Sequence, residues 1–280
     1  MSGSSKKLLH AAAGTLAASG DSLYVEDVFS TYLYTGTGNS SYNSGNGSNQ
    51  DIVSGIDLSG EAGMVWTKSR NNDVRHSIVD TERGATKMLS ASETGAEATA
   101  TDSTISFNSN GHTLGVDNGF QRVNFKGTVP FNYASWTFRK AEKFFDVVTY
   151  TGNAVNGRQI AHNLGSTPGM IIVKRINGDA YWPVYHESLG AGQYLFLNNT
   201  DSKSPYDGPG NTNSRYWNNT APTSTNFSVS NDGWINASDG TYVAYLFASD
   251  AGGYGDDEDE NIIKCGSYTG NGSATGPVES

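Results

Sequence analysis

Hydrophobic and polar positions alternate over short stretches in the first half of the chain, a pattern typical of half-buried β-strands. In 133–139, Tyr133, Ser135 and Thr137 share one face, and Trp136 and Phe138 share the other. Similar runs predict strands at 23–34, 56–58, 64–69, 76–80, 104–107, 112–116 and 133–139.

The second half has the same character. The run 170–175 is almost continuously apolar, which predicts a strand buried on both faces. Further strands are predicted at 182–186, 194–198, 227–229, 234–236 and 241–248. About seven short strands per half, with frequent turns, predict an all-β fold of tandem β-sandwich repeats, jelly-roll or lectin-like, after a short N-terminal segment.

Turn-forming residues separate these strands. The stretches 36–50, 90–103 and 198–226 are rich in small and polar residues and predict long loops. Asn110-Gly111 favours a tight hairpin between two of the predicted strands. Loops this long in a compact domain are either functional or disordered.

Several stretches recur in the same order, which indicates internal duplication. The triplet Tyr-Thr-Gly begins at Tyr34, Tyr150 and Tyr268, so its copies are 116 and 118 residues apart. Two other pairs of stretches correspond, 63–70 with 169–175 and 133–138 with 242–247. The predicted organisation is an N-terminal attachment segment (1–22), repeat 1 (23–142), repeat 2 (143–251), and an acidic linker with the start of a truncated third repeat (252–280).

Composition supports a folded chain and limits its partners. Glycine supplies 34 of 280 residues, which suits many turns, and the aromatic and β-branched runs distinguish the chain from a disordered one. The net charge of −10 argues against binding to nucleic acid or an anionic membrane. No apolar run approaches the roughly 18 residues that indicate a membrane span, and the single cysteine, Cys265, excludes an internal disulfide.

The residues that carry enzymatic chemistry form no recognisable motif. His76 and His186 follow the methionine-containing strands at comparable places, which favours a structural role for both. Asp80 and Glu82 lie close in sequence, but nothing places them across a cleft as a glycosidase requires. The acidic run 256–260 lacks the spacing of a calcium loop and is interpreted as a solvated linker. We therefore predict no catalytic residue, metal or cofactor.

Five aromatic residues in or beside polar loops are the candidate binding residues: Tyr42, Tyr206, Tyr216, Trp217 and Trp234. Aromatic faces stack on sugars or on partner proteins, while neighbouring Asn and Gly residues give directional polar contacts. The alternative is that these rings fold back and cover the ends of the sandwich. The sequence leaves both interpretations open.

The N-terminal segment differs from the rest of the chain. Leu8, Leu9, Ala12 and Leu16 fall at helical spacing, before Gly20. One interpretation is a flexible end, and the other is a short helix that docks on a partner subunit. Under the second, Leu8, Leu9 and Leu16 are the candidate virion-attachment residues.

The motifs together resemble structural proteins from tailed phages of marine bacteria, including cyanophages. The stretches that carry this resemblance are 6–14, 23–36, 162–175, 241–248 and 259–270. It implies a virion protein, either a tail fibre or a related tail appendage, that contacts other tail proteins, assembles as a homotrimer, and projects its repeats for host adsorption with a possible host-surface glycan as ligand. Repeat 1 departs from the module between 85 and 130, so its loops are expected to serve attachment instead of outward binding.

Two other functions fit the same sequence. One is a carbohydrate-binding, lectin-like module, in which the aromatic loops bind glycan. The other is a head decoration or tail-tube component, in which the repeats are spacers. An acidic, loop-rich sandwich suits all three.

Overall fold

The computed structural model of the chain describes residues 22–42, 44–118, 123–201, 204–205, 216–274 and 276. These residues form strands and loops with two single-turn helices, which confirms the all-β prediction. Every strand pair is antiparallel, as expected when strands are joined by short turns.

In the described part of the first half, nine strands follow the helical turn α1 (Val25–Val28). They are β1 (Phe29–Thr35), β2 (Gln50–Val53), β3 (Gly63–Ser69), β4 (Ser77–Asp80), β5 (Lys87–Ser90), β6 (Ala98–Thr99), β7 (Thr104–Asn108), β8 (Gly111–Leu114) and β9 (Asn132–Arg139). Six of them form a large sheet in the order β1-β9-β3-β4-β5-β6, and the other three form a small sheet, β2-β8-β7. The predicted hairpin is present, because Asn108 pairs with Gly111 across the turn.

Among the residues of the second half that the structure describes, there are eight strands and one helical turn, α2 (Gly233–Asn236). The strands are β10 (Phe145–Thr151), β11 (Arg158–Ala161), β12 (Pro168–Arg175), β13 (Pro183–His186), β14 (Gln193–Phe196), β15 (Ser204–Pro205), β16 (Asn226–Val229) and β17 (Thr241–Ala248). The large sheet has the order β10-β17-β12-β13-β14-β15, and β11 pairs with β16. In both large sheets, the first strand of the half lies at the edge beside the last strand.

The two large sheets pack face to face through an apolar layer that we call the shared core. It comprises Val28, Met64, Ile78, Leu89, Ala91, Phe144, Phe145, Val147, Ile172, Trp182, Val184, Val243, Tyr245, Phe247 and Tyr254. Strand β17 shows how alternation produces this packing. Val243 and Tyr245 face the shared core, whereas Tyr242, Ala244 and Leu246 face the opposite way. The two halves therefore share a common hydrophobic core and are not separately packed domains.

Each small sheet covers the outer face of its large sheet. In the second half, Ile160 of β11 and Phe227 of β16 pack with Ile171 of β12. In the first half, Ile52 of β2 packs with Tyr133 of β9. The result is four layers: small sheet, large sheet, large sheet, small sheet.

Some predicted elements were wrong. The stretch 234–236 is the helical turn α2, because the Asp232 carboxylate accepts a hydrogen bond from the Trp234 amide at 2.8 Å and caps it. The stretch 56–58 is core without strand pairing, and the strand lies earlier, at Gln50–Val53. The predicted strand 23–34 begins with α1.

The acidic run 256–260 is exposed, as predicted for a solvated linker, but the residues just before it fold back onto the body. Tyr254 is only 1% exposed, and its hydroxyl donates to the Glu142 carbonyl at 2.8 Å. The Gly255 amide donates to the Leu23 carbonyl at 2.9 Å. Beyond it, 262–270 forms no strand, and Tyr268 is 69% exposed.

The Tyr-Thr-Gly triplets end the edge strands β1 and β10. Tyr34 stacks on Tyr133 with ring centroids 5.0 Å apart, and Tyr150 stacks on Tyr242 at 5.0 Å. The glycine of the second triplet, Gly152, allows close backbone approach, because a Cβ there would overlap the Ala237 carbonyl oxygen.

We expect Gly152→Ala to lower the free energy of unfolding by about 1–3 kcal/mol, since the backbone must move to admit the methyl group. Urea denaturation measures this change. The matched control is Gly270→Ala in the third triplet, where an added Cβ meets no atom within 4 Å. That variant is expected to stay within about 0.5 kcal/mol of the parent. Equal stability of Gly152→Ala and the parent would contradict the close approach.

Candidate functional site

Two of the predicted binding aromatics are core residues. Tyr216 is 0% exposed and Trp217 is 1% exposed. Tyr216 packs edge-on against Tyr194 with centroids 4.5 Å apart, and Trp217 packs against Tyr185 at 5.9 Å. The exposed placement was wrong for both residues, because their loop turns inward and covers the second half's outer core. The interpretation that such rings fold back onto the sandwich is confirmed for this pair.

Trp234 lies at the edge of the same cluster. It is partly exposed, stacks parallel to Tyr216 at 6.3 Å, and contacts Tyr181 at 4.9 Å. Its ring therefore packs against the core and stays partly exposed.

Four predicted residues lie outside the residues that the structure describes. They are the binding candidate Tyr206 and the attachment candidates Leu8, Leu9 and Leu16. Their roles stay predictions.

Tyr42 is the predicted aromatic that the structure places in solvent, with 73% of its surface exposed. It belongs to the loop between β1 and β2, whose base is fixed by the buried Asn39. The Asn39 amide donates to the Val116 carbonyl at 2.6 Å, and its side chain donates to Asn118 Oδ1 at 2.6 Å. Asn39 Oδ1 accepts from the Gly47 amide at 2.9 Å, which joins the two arms of the loop.

A second asparagine closes the loop nearer its tip. Asn46 Oδ1 accepts from the Ser40 amide at 3.0 Å and from the Ser44 hydroxyl at 2.6 Å. Asn46 Nδ2 donates to the Ser40 hydroxyl at 2.7 Å. Tyr42 thus projects from a loop in which Ser40 and Asn46 are joined by hydrogen bonds, which lowers the entropic cost of using its ring in binding.

A buried asparagine ties this loop to the body, and the sequence analysis missed it. Asn124 Oδ1 accepts from the Thr37 amide at 2.9 Å, and its Nδ2 donates to the carbonyls of Gly115 and Ser48 at 2.7 and 3.1 Å. Comparison of the two halves of the sequence did not reveal Asn124, because the residues around it have little in common with those around Asn236, its counterpart in the second half.

Asn236 makes the corresponding bonds in the second half. Its Oδ1 accepts from the Asn153 amide at 3.0 Å, and its Nδ2 donates to the carbonyls of Ser230 and Val155 at 2.8 and 2.9 Å. The loop after each of the first two Tyr-Thr-Gly triplets is therefore held by one asparagine whose side chain both accepts and donates hydrogen bonds.

The predicted equivalence of the two strand histidines was wrong. His186 lies opposite Met170, whereas Asp80 lies opposite Met64. The place of His76 in the first half corresponds instead to Trp182, because each directly precedes the strand that pairs with the methionine-containing strand.

His112 is a buried histidine on β8. It is 0% exposed, and neither ring nitrogen makes a hydrogen bond with any residue in the described part of the chain. Burial lowers the pKa of His112 from 6.5 to about 4. His112 lies opposite Ile52, as Phe227 lies opposite Ile160, so an aromatic hydrocarbon fills this place in the second half.

Stability is therefore expected to fall on acidification because of His112. Its pKa is lower in the folded state, so the unfolded chain binds more protons between pH 6.5 and 4. The contribution of the neutral ring is complete above pH 6.5 and is lost as the pH falls toward 4, by about 3 kcal/mol. Chemical denaturation at pH 7 and pH 4 should show that His112→Phe removes this part of the acid sensitivity. The same pH dependence in both proteins would exclude His112 as its source.

The carboxylates considered for catalysis are ion-paired. Asp80 is 0% exposed and binds Arg83 Nε at 2.7 Å, and Glu82 binds Lys140 Nζ at 3.0 Å. Within the described ranges, no group of three or more His, Cys, Asp or Glu side chains is arranged to hold a metal ion. No helix among the described residues is long and apolar enough to cross a membrane.

Comparison with known proteins gives one family. The family model described as "Domain of unknown function (DUF7483)" matches residues 26–279. No curated protein and no solved structure matches the chain.

Proposed function

We propose that this chain, which belongs to the DUF7483 family, is a structural virion protein that serves as a tail fibre or related appendage of a tailed phage. The resemblance of its motifs to marine phage structural proteins supports this assignment. In this function the N-terminal part contacts other tail proteins, and the sheet-bearing body projects from the tail for adsorption to the host surface.

The observation that carries the proposal is the core that the two halves share. The shared core is reinforced by polar bonds across it: Lys174 Nζ donates to the Thr94 carbonyl at 2.7 Å, and Trp182 Nε1 donates to the Glu93 carbonyl at 2.9 Å. An appendage must transmit force from its tip to its base without bending between modules. Adjacent sheets that share one core meet that requirement better than modules on a flexible linker.

Three-fold assembly follows from the fibre assignment. Several weak contacts with a host surface then sum to firm adsorption, because each later contact forms at a high effective concentration. This suits a chain whose candidate contact residue, Tyr42, stands on a loop and not in a pocket.

Light scattering of the purified chain tests the assembly. A mass three times the chain mass of 29.8 kDa is the expected result. A monomer would contradict the three-fold fibre and favour the head-decoration or tail-tube alternative.

A second candidate function is a carbohydrate-binding, lectin-like module. The exposed Tyr42 ring favours it, because an exposed aromatic ring beside hydrogen-bonded loop residues is suited to stacking on a sugar. This candidate expects the chain to bind on a glycan array and Tyr42→Ala to lose that binding. Silence of the parent chain on the array would exclude it.

A further inference from the structure

One end of the first large sheet emerges from the shared core with its inner face exposed. On β9, Phe138 packs against the shared core, whereas the next residue on that face, Trp136, is partly exposed. On the neighbouring edge strand, Leu33 is 56% exposed and Thr31, directly opposite Trp136, is exposed. The inner face of the sheet is thus buried at one end of these strands and exposed to solvent at the other.

Two tryptophans lie side by side on this exposed end. Trp66 of β3 is directly opposite Trp136 of β9, and their ring centroids are 6.5 Å apart at an interplanar angle of 80°. Both are partly exposed, and Trp66 also packs against the border of the shared core. We call the surface formed by Leu33, Trp66, Lys68, His76 and Trp136 the Trp66–Trp136 face.

A hydrogen bond fixes one of the two rings. Trp66 Nε1 donates to His76 Nδ1 at 3.1 Å. Because Nδ1 accepts this bond, the neutral His76 ring carries its proton on Nε2, where it is a donor. Burial and the neighbouring Lys68 lower the pKa of His76, which keeps the ring neutral at pH 7.

The corresponding place on the second large sheet shows how such a surface is covered by polypeptide. There Lys174 and Trp182 donate to the carbonyls of Thr94 and Glu93, so a segment from the first half lies over the sheet. The Ala180 amide also donates to the Thr94 carbonyl, at 2.9 Å. Backbone carbonyls captured by a lysine and an indole N–H hold that segment.

The Trp66–Trp136 face is built differently. Lys68, in the place of Lys174, donates locally to the carbonyls of Ser69 and Asn72 at 2.8 and 2.9 Å. His76, in the place of Trp182, is engaged by Trp66. On the first sheet, Lys68 and His76 are thus already hydrogen-bonded to nearby groups and do not hold a polypeptide segment. The faces of the aromatic rings remain available for contact with a ligand.

We propose that the Trp66–Trp136 face binds a neutral oligosaccharide of pyranose rings. Pyranoses present apolar C–H surfaces that stack on aromatic rings, and their hydroxyls accept from donors at the edge of the face. His76 Nε2–H and the remaining N–H of Lys68 are such donors. The net charge of −10 disfavours an acidic polysaccharide. This inference rests on the first large sheet alone and is independent of the virion assignment.

Calorimetric titration of the full chain with cellohexaose, chitohexaose, β-1,4-mannohexaose and laminarihexaose tests the proposal. Binding of at least one of the four is expected. Trp136→Ala should weaken that binding by about tenfold or more, and Trp136→Phe, which keeps an aromatic ring, should weaken it less. The thermal unfolding midpoint of each variant shows whether it is folded, and Trp136→Phe keeps the test valid should the alanine variant unfold.

Tyr268→Ala is the matched control, because it removes an exposed ring from a segment that forms no strand and leaves both large sheets intact. It should leave the oligosaccharide affinity unchanged. Absence of binding to all four sugars, or equal affinity of the parent and the folded Trp136 variants, would overturn the proposal. So would loss of binding in Tyr268→Ala alone. The virion assignment is tested separately, by the oligomeric mass of the chain and by its location on the phage particle.

Discussion

Arg83→Met is expected to lower the free energy of unfolding by about 3–5 kcal/mol, because it leaves a buried carboxylate without its cation. The Arg83 side chain is 2% exposed, and Nε lies 2.7 Å from Asp80 Oδ2, whose own side chain is 0% exposed. Methionine fills a similar volume, so the loss reflects charge and hydrogen bonding more than a cavity.

The pair belongs to a network that crosses the shared core. Arg83 NH1 binds Glu97 Oε2 at 3.0 Å, and NH2 donates to the Tyr245 hydroxyl at 3.2 Å. Burial raises the pKa of Tyr245 well above its ordinary value, so its hydroxyl stays protonated and donates to Asp80 Oδ2 at 2.7 Å. In Arg83→Met, Asp80 keeps this bond and the Arg83 backbone amide but loses the guanidinium.

Arg75→Met is the matched control. Arg75 Nε lies 2.6 Å from Glu93 Oε1, but the two side chains are 43% and 39% exposed. Water already solvates both charges, so the loss is expected to stay within about 1 kcal/mol. Urea denaturation at pH 7 measures both variants. A similar loss in the two would show that burial does not set the strength of the Arg83 network.

Asn236→Ala is expected to cost about 3–4 kcal/mol, because three strong hydrogen bonds end on one buried amide. The substitution leaves the Ser230 and Val155 carbonyls and the Asn153 amide without this partner. Asn236 is 0% exposed, so water does not replace those bonds without rearrangement. The loops after β10 and before α2 should loosen together.

Two further substitutions test whether this loss depends on burial of the asparagine. Asn124→Ala should cost the same to within about 1 kcal/mol, because Asn124 bonds corresponding groups in the first half. Asn156→Ala is the control, since Asn156 bonds Asn218 at the surface, and it should change stability by at most about 0.5 kcal/mol. Hydrogen exchange of the backbone amides in the loops after β10 and before α2 measures how much these loops loosen. Unchanged exchange in Asn236→Ala would show that the asparagine does not hold the loop.

Local patterning was sufficient to predict the central strands. The predicted stretches 64–69, 133–139 and 241–248 coincide closely with β3, β9 and β17, because each alternates or stays apolar between clear turn signals. The duplication remains our interpretation of the sequence spacing. The two large sheets have the same strand order.

The shared core was not predictable from the same pattern. In β17 both faces are apolar, and alternation does not say which face meets the other half and which meets a small sheet. That choice depends on contacts far apart in sequence. The fold-back of Tyr254 was missed for the same reason, because an acidic, glycine-rich stretch normally indicates a solvated linker.

The binding residues were harder to predict than the strands. Tyr42, Tyr216 and Trp217 all have polar neighbours in sequence, yet the first is exposed and the other two are buried. In the sequence, Trp66 and Trp136 resemble any aromatic residue of a buried strand. Trp136 is partly exposed because the inner face of the first large sheet extends beyond the shared core, and Trp66 lies at the border of that core.

Immunogold electron microscopy of tailed phage particles that encode this chain tests the proposed function most directly. Antibodies raised against the purified chain should label the tail. Labelling of the head, or absence of the chain from purified particles, would contradict a tail appendage.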